Sequence, residues 1–352
     1  MTARFTAGFA APLLVGLLVG VSAPALASTS VFATAPVDPR AITVAARGDG
    51  VTDDSVAIQR AIDAAAAASK NTGAGGIVFL PAGRYRITRT LYMRPGVRLF
   101  GVGKARPVLL LAPSTPGFQR GVGSMVFFTG TPAATVGSPP APAVPVPPPT
   151  SVPFDPAIAD ANSGTFYTAL SNVDFEIGEG NPAATAVRFH AAQHAYLSHI
   201  DFHLGSALAG VYQVGNLAQD LKFFGGRYGI LTEKTSPAWQ FTLLDSVFEG
   251  QRDAAIREHE AGLTLVNTVI RNVPVGIEID RGHGDWLWGK DVRFENVTHA
   301  GVLISAENSV FTQIGFDNAS RATHRPLRGS ATAASPSRRR GQPTGSPTFP
   351  TV

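Results

Sequence analysis

One recurring pattern constrains the fold of this 352-residue chain more than any other feature. Val269–Asp280 reads V-I-R-N-V-P-V-G-I-E-I-D, and Val292–Ser305 repeats its order of apolar run, Asn-Val pair, Gly and second apolar run. The apolar residue that closes the first run recurs at steps of 22 to 27 residues, at Phe175, Phe202, Phe224, Phe248, Ile270, Phe294 and Phe316. A period in the twenties that persists over seven turns is typical of a solenoid.

The repeated segments have the character of strands. Runs such as V-D-F-E-I and V-R-F-E-N alternate apolar and polar residues, which indicates β-strands. Asn272, Asn296 and Asn318 recur at one offset, 24 and 22 residues apart. An inward-facing Asn at a turn can hydrogen-bond to the coils above and below it. Three such residues in register therefore predict coils that stack by parallel strand pairing.

A second strand in each repeat, such as G-I-E-I-D, begins with an apolar residue that we expect to face the interior. Because side chains alternate along a strand, the following residue should face outward. One predicted outward column contains Arg188, Tyr212, Leu231, Arg257, Glu278 and Leu303. A second column, two residues further on, contains His190, Val214, Glu233, His259, Asp280 and Ser305. Neighbours in a column should lie about 4.8 Å apart.

A turn, a helix and short strands precede the repeats. In G-D-G-V-T-D-D, Asp53 or Asp54 can cap a helix whose apolar face carries Ile58 and Ile62. Adjacent carboxylates can also indicate a metal site, but we favour a turn followed by a helix cap. The helix would then cover the open end of the solenoid, where exposed strand edges invite association. Three short strands, separated by P-A-G and R-P-G turns, are predicted to follow.

Three other segments lie outside the repeats. Residues 1–27 combine Arg4, a short apolar run and A-L-A, a pattern typical of a cleaved secretory signal peptide. Residues 132–156 hold ten prolines, so we predict a surface excursion and not a central strand. Residues 320–352, rich in Arg, Ser and Pro, are predicted to be disordered. We therefore expect a solenoid domain at residues 41–319 and a secreted protein with no membrane association after cleavage.

The charge distribution argues against a nucleic-acid partner. The net charge is +4 at pH 7, but residues 321–352 contain six arginines and no acidic residue, so the rest of the chain carries −2. The basic character belongs to this tail and not to a face of the fold. The chain has no cysteine, which excludes disulfides and thiolate metal sites. We expect no metal and no cofactor.

Two stretches resemble a known family. G-D-G-V-T-D-D-S-x-A-I-Q-x-A-I-D, followed by G-G-I-V-F-L-P-A-G-R-Y-R-I, resembles the start of pectate-lyase-superfamily proteins, including rhamnogalacturonase- and epimerase-like members. F-Y-T-A-L-S-N-V-D-F and L-K-F-F-G-G-R-Y-G-I are similar to the amino-terminal β-helix of β-1,3-glucanases. The resemblance implies an all-β fold, a right-handed single-stranded parallel β-helix of roughly eight to ten coils with an N-terminal capping α-helix.

The resemblance also implies a carbohydrate-active protein whose partner is a polysaccharide. Alternation places Glu278 and Asp280 on one outer face, with a backbone separation of about 6.6 to 7 Å. From there the carboxyl groups can reach either the close spacing of a retaining glycosidase or the wider spacing of an inverting one. His259 and Glu233, one and two coils away, are further catalytic candidates. A charged outer face is also the ordinary state of a solvated strand.

Five side chains are candidates for substrate binding: Arg188, Tyr212, Arg257, Trp286 and Trp288. An exposed indole offers a stacking surface to the apolar face of a sugar, although a ring packed under a loop is an equal alternative. The segment R-G-H-G-D resembles the Gly-His-Gly of polygalacturonases. The partner motifs of those enzymes are missing on the preceding coils, which read A-I-R-E-H and G-I-L-T-E, so we favour a simple turn there.

Two classes of function remain open from the sequence. The first is a polysaccharide-degrading enzyme. Glycoside hydrolysis would use Glu278 and Asp280, whereas lyase chemistry would need an Arg or Lys base and neutralisation of the substrate acid. The second is a non-catalytic, polysaccharide-binding or surface-structural β-helix. Binding by the second class would survive loss of both carboxylates but fail without Trp286 or Trp288.

Overall fold

A computed structural model describes residues 29–69, 75–131, 158–161, 165–232, 240–259, 262–280, 286–304 and 313–322. The predicted signal peptide, the proline-rich excursion and the tail beyond Ala322 lie outside these residues. Within the described part, no helix has the length and apolar character needed to cross a membrane.

The described regular elements are one helix, α1 (Ser55–Ala68), and 24 strands. The strands of the first half are β1 (Ile42–Thr43), β2 (Asp49–Asp53), β3 (Ile77–Pro81), β4 (Arg84–Ile87), β5 (Leu91–Met93), β6 (Arg98–Val102), β7 (Val108–Leu111), β8 (Gly123–Phe128), β9 (Ala169–Ser171), β10 (Asp174–Ile177), β11 (Ala184–Arg188) and β12 (Tyr196–His203). Those of the second half are β13 (Ala209–Tyr212), β14 (Leu217–Phe224), β15 (Tyr228–Leu231), β16 (Gln240–Leu244), β17 (Val247–Glu249), β18 (Ala254–Glu258), β19 (Gly262–Arg271), β20 (Val275–Ile279), β21 (Trp286–Glu295), β22 (Ala300–Ile304), β23 (Gln313–Asp317) and β24 (Ser320–Ala322).

The strands stack in parallel into two sheets that enclose one core. The smaller sheet has eight strands in chain order, β5, β8, β11, β13, β15, β18, β20 and β22, one from each coil. The larger sheet has sixteen strands and wraps the other sides of the coils. The fold is therefore the predicted parallel β-helix, with eight coils among the described residues.

Helix α1 closes the N-terminal end of this solenoid. Ile58 and Ile62 are fully buried, and the helix packs on β1, β3 and β5. The prediction of a capping helix is thus confirmed. Four strands (β3 to β6) follow it instead of the predicted three, because R-Y-R-I-T-R-T-L-Y-M divides into β4 and β5.

The two adjacent aspartates before α1 accept hydrogen bonds from backbone amides. Asp54 occupies the N-cap position but makes no side-chain capping bond. Its carboxylate instead accepts hydrogen bonds from the amides of Arg47 and Gly48, both at 2.9 Å. Asp53 accepts one from the amide of Ser55 at 3.0 Å. Asp54 thus lies at the predicted N-cap position, but it does not cap the helix with its side chain, and the predicted turn is largely strand β2 (Asp49–Asp53).

A ladder of apolar side chains forms the interior beneath the larger sheet. Phe175, Phe202, Phe223 and Phe248 stack with ring centroids 4.6 to 5.3 Å apart, and Ile270 and Phe294 continue the column in register. The 22-to-27-residue spacing predicted this column correctly except at two positions. Phe224 lies on the outer face, where its ring stacks on His203 at 5.1 Å. Phe316 pairs with Gly289 in a different column.

The same ladder explains the repeated Gly in G-I-L-T-E and G-I-E-I-D. Gly210 and Gly229 lie against the Phe223 and Phe248 rings, and a Cβ on Gly210 would come within 2.6 Å of the Phe223 ring. Gly276 meets Phe294 in the same way. The repeat thus carries a steric requirement: at the positions that face Phe223, Phe248 and Phe294, only a residue without a side chain fits.

The predicted asparagine ladder is partly wrong. Asn296 donates a hydrogen bond to Asn272 at 2.9 Å, so these two residues do link adjacent coils. Both are exposed, however, and not inward-facing. Asn318 belongs to a different corner, where it bonds to Asp291. The sequence steps of 24 and 22 hid this shift: Asn318 lies 27 residues after Asp291, its neighbour in the corner, so the last coil is longer than the repeat suggested.

Seven stacked residues with left-handed backbone form that corner within the larger sheet: Asn172, His199, Asp220, Asp245, Asn267, Asp291 and Asn318. Asn, Asp and His tolerate this conformation better than other residues with side chains. At the start of the ladder, Asn172 is fully buried and bonds to Ser30, to the Val31 amide and to the Gly101 carbonyl. It fixes the segment that begins at Thr29 against the solenoid.

The end of the solenoid lies slightly beyond the predicted boundary. Strand β24 (Ser320–Ala322) pairs in parallel with β21, so the described structure extends three residues into the segment predicted to be disordered. At the other end, Thr29 bridges to Ala105, and the Phe32 ring packs edge-on against Phe100.

Candidate active site

The strand register of the smaller sheet brings the first predicted column together. Along β11, β13, β15, β18, β20 and β22, consecutive partners are Arg188, Tyr212, Leu231, Arg257, Glu278 and Leu303. The column lies on the outside of the sheet, as alternation predicted, because the preceding residue of each strand is in the core. Its members nonetheless differ widely in exposure.

The N-terminal half of the column is covered. Arg188, Tyr212 and Leu231 are at most 7% exposed, although all three face away from the solenoid core. Arg188 lies flat between the rings of Tyr212 and Phe127, with its guanidinium carbon 5.0 and 5.4 Å from the ring centroids. Arg188 and Tyr212 are therefore closed to a polymer in this structure, and their binding roles stay predictions.

A short return segment, residues 158–161, supplies the cover over Arg188. Asp160 accepts two hydrogen bonds from the Arg188 guanidinium, at 3.0 and 2.6 Å, and lies 3.3 Å from His190 Nδ1. Burial alone would raise the pKa of Asp160, but the bonds from Arg188 and His190 outweigh it and lower the pKa. This buried ion pair ties residues 158–161 to the smaller sheet.

The C-terminal half of the column is open and carries three charged groups. Arg257 donates a hydrogen bond from Nη2 to Asp280 Oδ2 at 2.5 Å, and its Nε lies 4.0 Å from Glu278 Oε2. The side chains of Arg257, Glu278 and Asp280 are 33%, 23% and 29% exposed. One guanidinium thus contacts both carboxylates on a surface that a polymer can reach.

Tyr228 is a fourth member of this cluster that the sequence did not indicate. Its hydroxyl accepts a hydrogen bond from Arg257 at 3.4 Å. Strict alternation from the buried Ile230 would place Tyr228 inside, but Gly229 and Ile230 both face the core and Tyr228 faces out. The Gly that makes room for Phe248 therefore also shifts the phase of the strand.

Hydrogen bonds within the cluster stabilise the positive charge of Arg257 at its centre. Burial alone would lower the pKa of Arg257, but its hydrogen bonds to Asp280 and Tyr228 outweigh that effect and raise the pKa. Burial also raises the pKa of Tyr228.

The second predicted column is interrupted. Val214 is buried in the core, so the prediction that it faces outward is wrong. Gln213 before it has left-handed backbone with φ 56°, which breaks the two-residue alternation. His259 is partly exposed, its amide bonds to Thr232, and it occupies the position next to Asp280 on the adjacent coil. Glu233 and the R-G-H-G-D segment lie outside the described residues.

Trp286 and Trp288 lie on a different sheet from the carboxylates. Both belong to β21 of the larger sheet, whereas Glu278 belongs to β20 of the smaller one. The indoles are 46% and 44% exposed, and Leu287 between them is buried. Of the two alternatives for these rings, exposure is the one observed, but they do not stand beside Glu278 on its strand.

A second charged cluster, on the larger sheet, was also missed by the sequence analysis. Arg106 is almost completely buried and contacts Asp174 at 3.2 Å, Asp201 at 3.0 Å and Asp220 at 3.6 Å. Its Nε also donates to the Thr29 carbonyl. Burial raises the pKa of Asp174. Because Arg106 and Asp174 are sealed from solvent and hold the N-terminal segment, this cluster has the character of a structural anchor.

Metal coordination finds little support in the described chain. Among these residues, no group of three or more His, Asp and Glu side chains is arranged to hold a metal ion. The candidate site itself holds one guanidinium, that of Arg257, facing two carboxylates.

Comparison with known proteins places the chain in a family. The sequence profile of the family described as rhamnogalacturonase A/epimerase, pectate lyase-like matches residues 42–303. The non-secreted LysM effector LysM19 of Penicillium expansum is 26% identical over 252 residues, which is 68% of this chain and 18% of the relative. Mannuronan C5-epimerase AlgE3 of Azotobacter vinelandii is 47% identical over 73 residues, 19% of this chain and 4% of the epimerase. The chain thus spans less than a fifth of the length of these relatives.

A solved structure agrees with the fold. The phiAB6 tailspike, crystallised with oligosaccharides of an Acinetobacter baumannii surface polysaccharide, superposes with a TM-score of 0.50 at 16% identity. The match covers 80% of this chain and 46% of the tailspike, and at this identity it shows a shared fold alone. Together with the parallel β-helix and the profile match over most of its length, the chain belongs to the rhamnogalacturonase A/epimerase, pectate lyase-like family.

Proposed function

We propose that this protein is a secreted enzyme that hydrolyses a polysaccharide on the outer face of the smaller sheet. The observation that carries the proposal is the contact of Glu278 and Asp280 with one guanidinium, that of Arg257. Two carboxyl groups on one accessible face are what glycoside hydrolysis requires. Membership of a family named for polysaccharide-acting enzymes supports this choice.

Glu278 and Asp280 are assigned as a pair, one as the acid that protonates the leaving oxygen and the other as the base or nucleophile. Arg257 contacts both carboxylates and holds them on one face. His259, on the coil next to Asp280, would contact the bound sugar.

Hydrolysis is favoured over elimination at this site. A polysaccharide lyase needs a base that removes a proton from carbon. At this site Arg257 is the cationic residue that would have to take that role. Here the Arg257 guanidinium contacts two carboxylates, Glu278 and Asp280, and their negative charges would repel the acid group of a lyase substrate. Hydrolysis instead uses both carboxylates, with Arg257 orienting them.

The test is an activity screen of the secreted protein on neutral and acidic polysaccharides, read by new reducing ends and by absorbance of unsaturated products at about 235 nm. Glu278→Gln and Asp280→Asn should each lower kcat by about 100-fold or more. The matched control is Glu295→Gln, because Glu295 is also partly exposed and also lies 4.0 Å from an arginine, on the other sheet. Full activity in both site variants would refute the assignment, and unsaturated products would identify a lyase.

Secretion has its own test. We expect the protein exported by a host to start after Ala27, which N-terminal sequencing of the culture medium would show. A protein that is retained in the cell with residues 1–27 intact would contradict this part of the proposal.

A further inference from the structure

The exposed side of the larger sheet carries a continuous column without charge. Trp288 lies opposite Thr264, Thr264 opposite Thr242, Thr242 opposite Leu217, and Leu217 opposite Tyr196. We call these five residues the neutral track. With about 4.8 Å between strands, four steps make it about 19 Å long. Trp286 stands beside its C-terminal end, two residues from Trp288 on β21.

The Trp288 ring packs against the sheet at Gly315. A Cβ added to Gly315, its partner on β23, would come within 2.6 Å of the indole Cζ3, so the ring occupies the space that the missing side chain leaves. The Trp288 residue is nonetheless 44% exposed. An exposed aromatic ring is a surface on which the apolar face of a sugar stacks.

Space and polar groups beside Trp286 fit the same kind of ligand. Gly262, its partner on β19, leaves the position next to the indole without a side chain. Gln240 and Thr264 flank this gap and hydrogen-bond to each other at 2.7 Å. Amide and hydroxyl groups next to an indole can bind sugar hydroxyls without requiring charge on the sugar.

The cation beside the indoles is paired: Lys290, two residues after Trp288, contacts Asp317 at 2.7 Å. Arg98 lies at the other end of the track, near Tyr196. A uronic-acid polymer would bring a negative charge on each residue to a surface whose cation beside the indoles is already neutralised. An uncharged polymer meets no such cost, since its ring faces and hydroxyls match the indoles and the polar side chains.

We propose that the neutral track is a second polysaccharide-binding surface, which takes an uncharged glycan chain along the solenoid axis. It lies on a different sheet from Glu278 and Asp280, so it would hold the polymer without taking part in the reaction. The inference rests on the proposed polysaccharide partner but not on hydrolysis. It accounts for two indoles that a soluble protein would otherwise leave exposed on one strand.

Binding is measured in the Glu278→Gln/Asp280→Asn background, so that no substrate is consumed and failure of the hydrolase proposal leaves the result interpretable. The probes are a soluble neutral β-glucan and an uncharged galactan, compared with polygalacturonate and alginate, in affinity electrophoresis and calorimetry. We expect at least one neutral polymer to bind. Trp286→Ala or Trp288→Ala should weaken this binding about tenfold, as loss of an aromatic anchor does, and Trp288→Phe should largely retain it.

Two glycine variants test the geometry without deleting an indole. Gly315→Ala should push the Trp288 ring off the sheet and weaken binding severalfold. Gly301→Ala on the smaller sheet is the matched control, because its added Cβ would make only ordinary contacts at 3.6 Å or more and lies away from the track. Equal effects of the two variants on binding would contradict the role of the Trp288 ring.

Three results would overturn the proposal. One is tighter binding of the uronic-acid polymers than of the neutral ones. Another is unchanged affinity in the Trp286→Ala/Trp288→Ala double variant. The third is a dimer in light scattering that dissociates in this double variant while no probe polymer binds, because the indoles would then form a contact between two copies of the chain.

Discussion

The Arg257 guanidinium on β18 bonds to the Asp280 carboxylate just beyond β20, and this contact joins two coils at the centre of the candidate site. The two residues are 23 positions apart in sequence but neighbours in space, because parallel stacking brings equivalent positions of successive coils together. Arg257 thereby fixes the direction in which Asp280 points.

The first prediction concerns Arg257 itself. Arg257→Gln should lower kcat by about 10- to 100-fold, since a small displacement of a catalytic carboxylate has effects of this size. KM should change little if Arg257 positions the carboxylate and does not hold the sugar. Arg271→Gln is the control, because Arg271 makes a similar part-exposed pair with Glu249 on the other sheet. Steady-state kinetics on the substrate found in the screen would measure kcat and KM for both variants. Equal losses of kcat in the two variants would refute a special role for Arg257.

The second prediction concerns the buried pair of Asp160 and Arg188. Asp160→Asn leaves the Arg188 charge without its partner in a site that is 4% exposed. Removing one member of a buried ion pair costs about 3 to 5 kcal/mol, and we expect the free energy of unfolding to fall by that amount. Asp253→Asn breaks the exposed pair with Arg227 and should cost about 1 kcal/mol or less. Denaturant unfolding of both variants measures the difference.

The same pair should make stability depend on pH. The pKa of Asp160 is lowered on folding, so its ionised form stabilises the folded state above the ordinary Asp value of 3.8. That contribution is lost as the pH falls from this value through the lowered pKa of the folded state. The difference in unfolding free energy between the wild type and Asp160→Asn should therefore be constant near neutral pH and shrink in acid. A difference in unfolding free energy that instead grows toward low pH would mean that folding raises, and does not lower, the pKa of Asp160.

The third prediction concerns Asn172, which starts the left-handed corner ladder. Asn172→Ala would leave the Gly101 carbonyl and the Val31 amide without their side-chain partner in a buried site. An unsatisfied buried polar group costs about 1 to 3 kcal/mol, and the substituted residue would also be strained at φ 60°. We expect lower stability and faster proteolysis near Thr29. Asn296→Ala is the control: it carries similar backbone strain at φ 50° but loses only an exposed bond to Asn272, so we expect a smaller loss of stability.

The sequence predicted the parts of the fold that one coil repeats in the next. The stacking of Phe248, Ile270 and Phe294 and the column from Arg188 to Leu303 both follow from a period near 24 and from alternation. Each of these relationships joins equivalent positions of successive coils, so the repeat of the sequence pattern predicts it directly.

The misses have a different physical origin. Tyr228 and Val214 depart from alternation because glycine opposite a Phe ring, and left-handed backbone at Gln213, change the phase of the strand. The closure over Arg188 depends on Asp160, which reaches the sheet from outside the repeat. No pattern within a coil records such a contact, and so exposure along the predicted site could not be read from the sequence.

The fourth prediction separates two adjacent phenylalanines in L-K-F-F. Spacing alone selected Phe224 as the interior residue, but Phe223 is the one stacked between Phe202 and Phe248 at 4.7 and 4.6 Å. Phe223→Ala should lower the free energy of unfolding by about 3 to 5 kcal/mol, because the removed ring leaves a cavity that two fixed coils cannot close.

Phe224→Ala is the matched control, with the same chemical change one position along the chain. The Phe224 ring is partly exposed and contacts His203 on the outer face, so no sealed cavity forms when it is removed. We expect a cost of about 1 kcal/mol, in line with loss of one surface aromatic contact. Urea unfolding of the two variants gives the answer directly. A larger loss in Phe224→Ala than in Phe223→Ala would mean that β14 is shifted by one residue, and the outward assignments that depend on its register, including the neutral track, would fall with it.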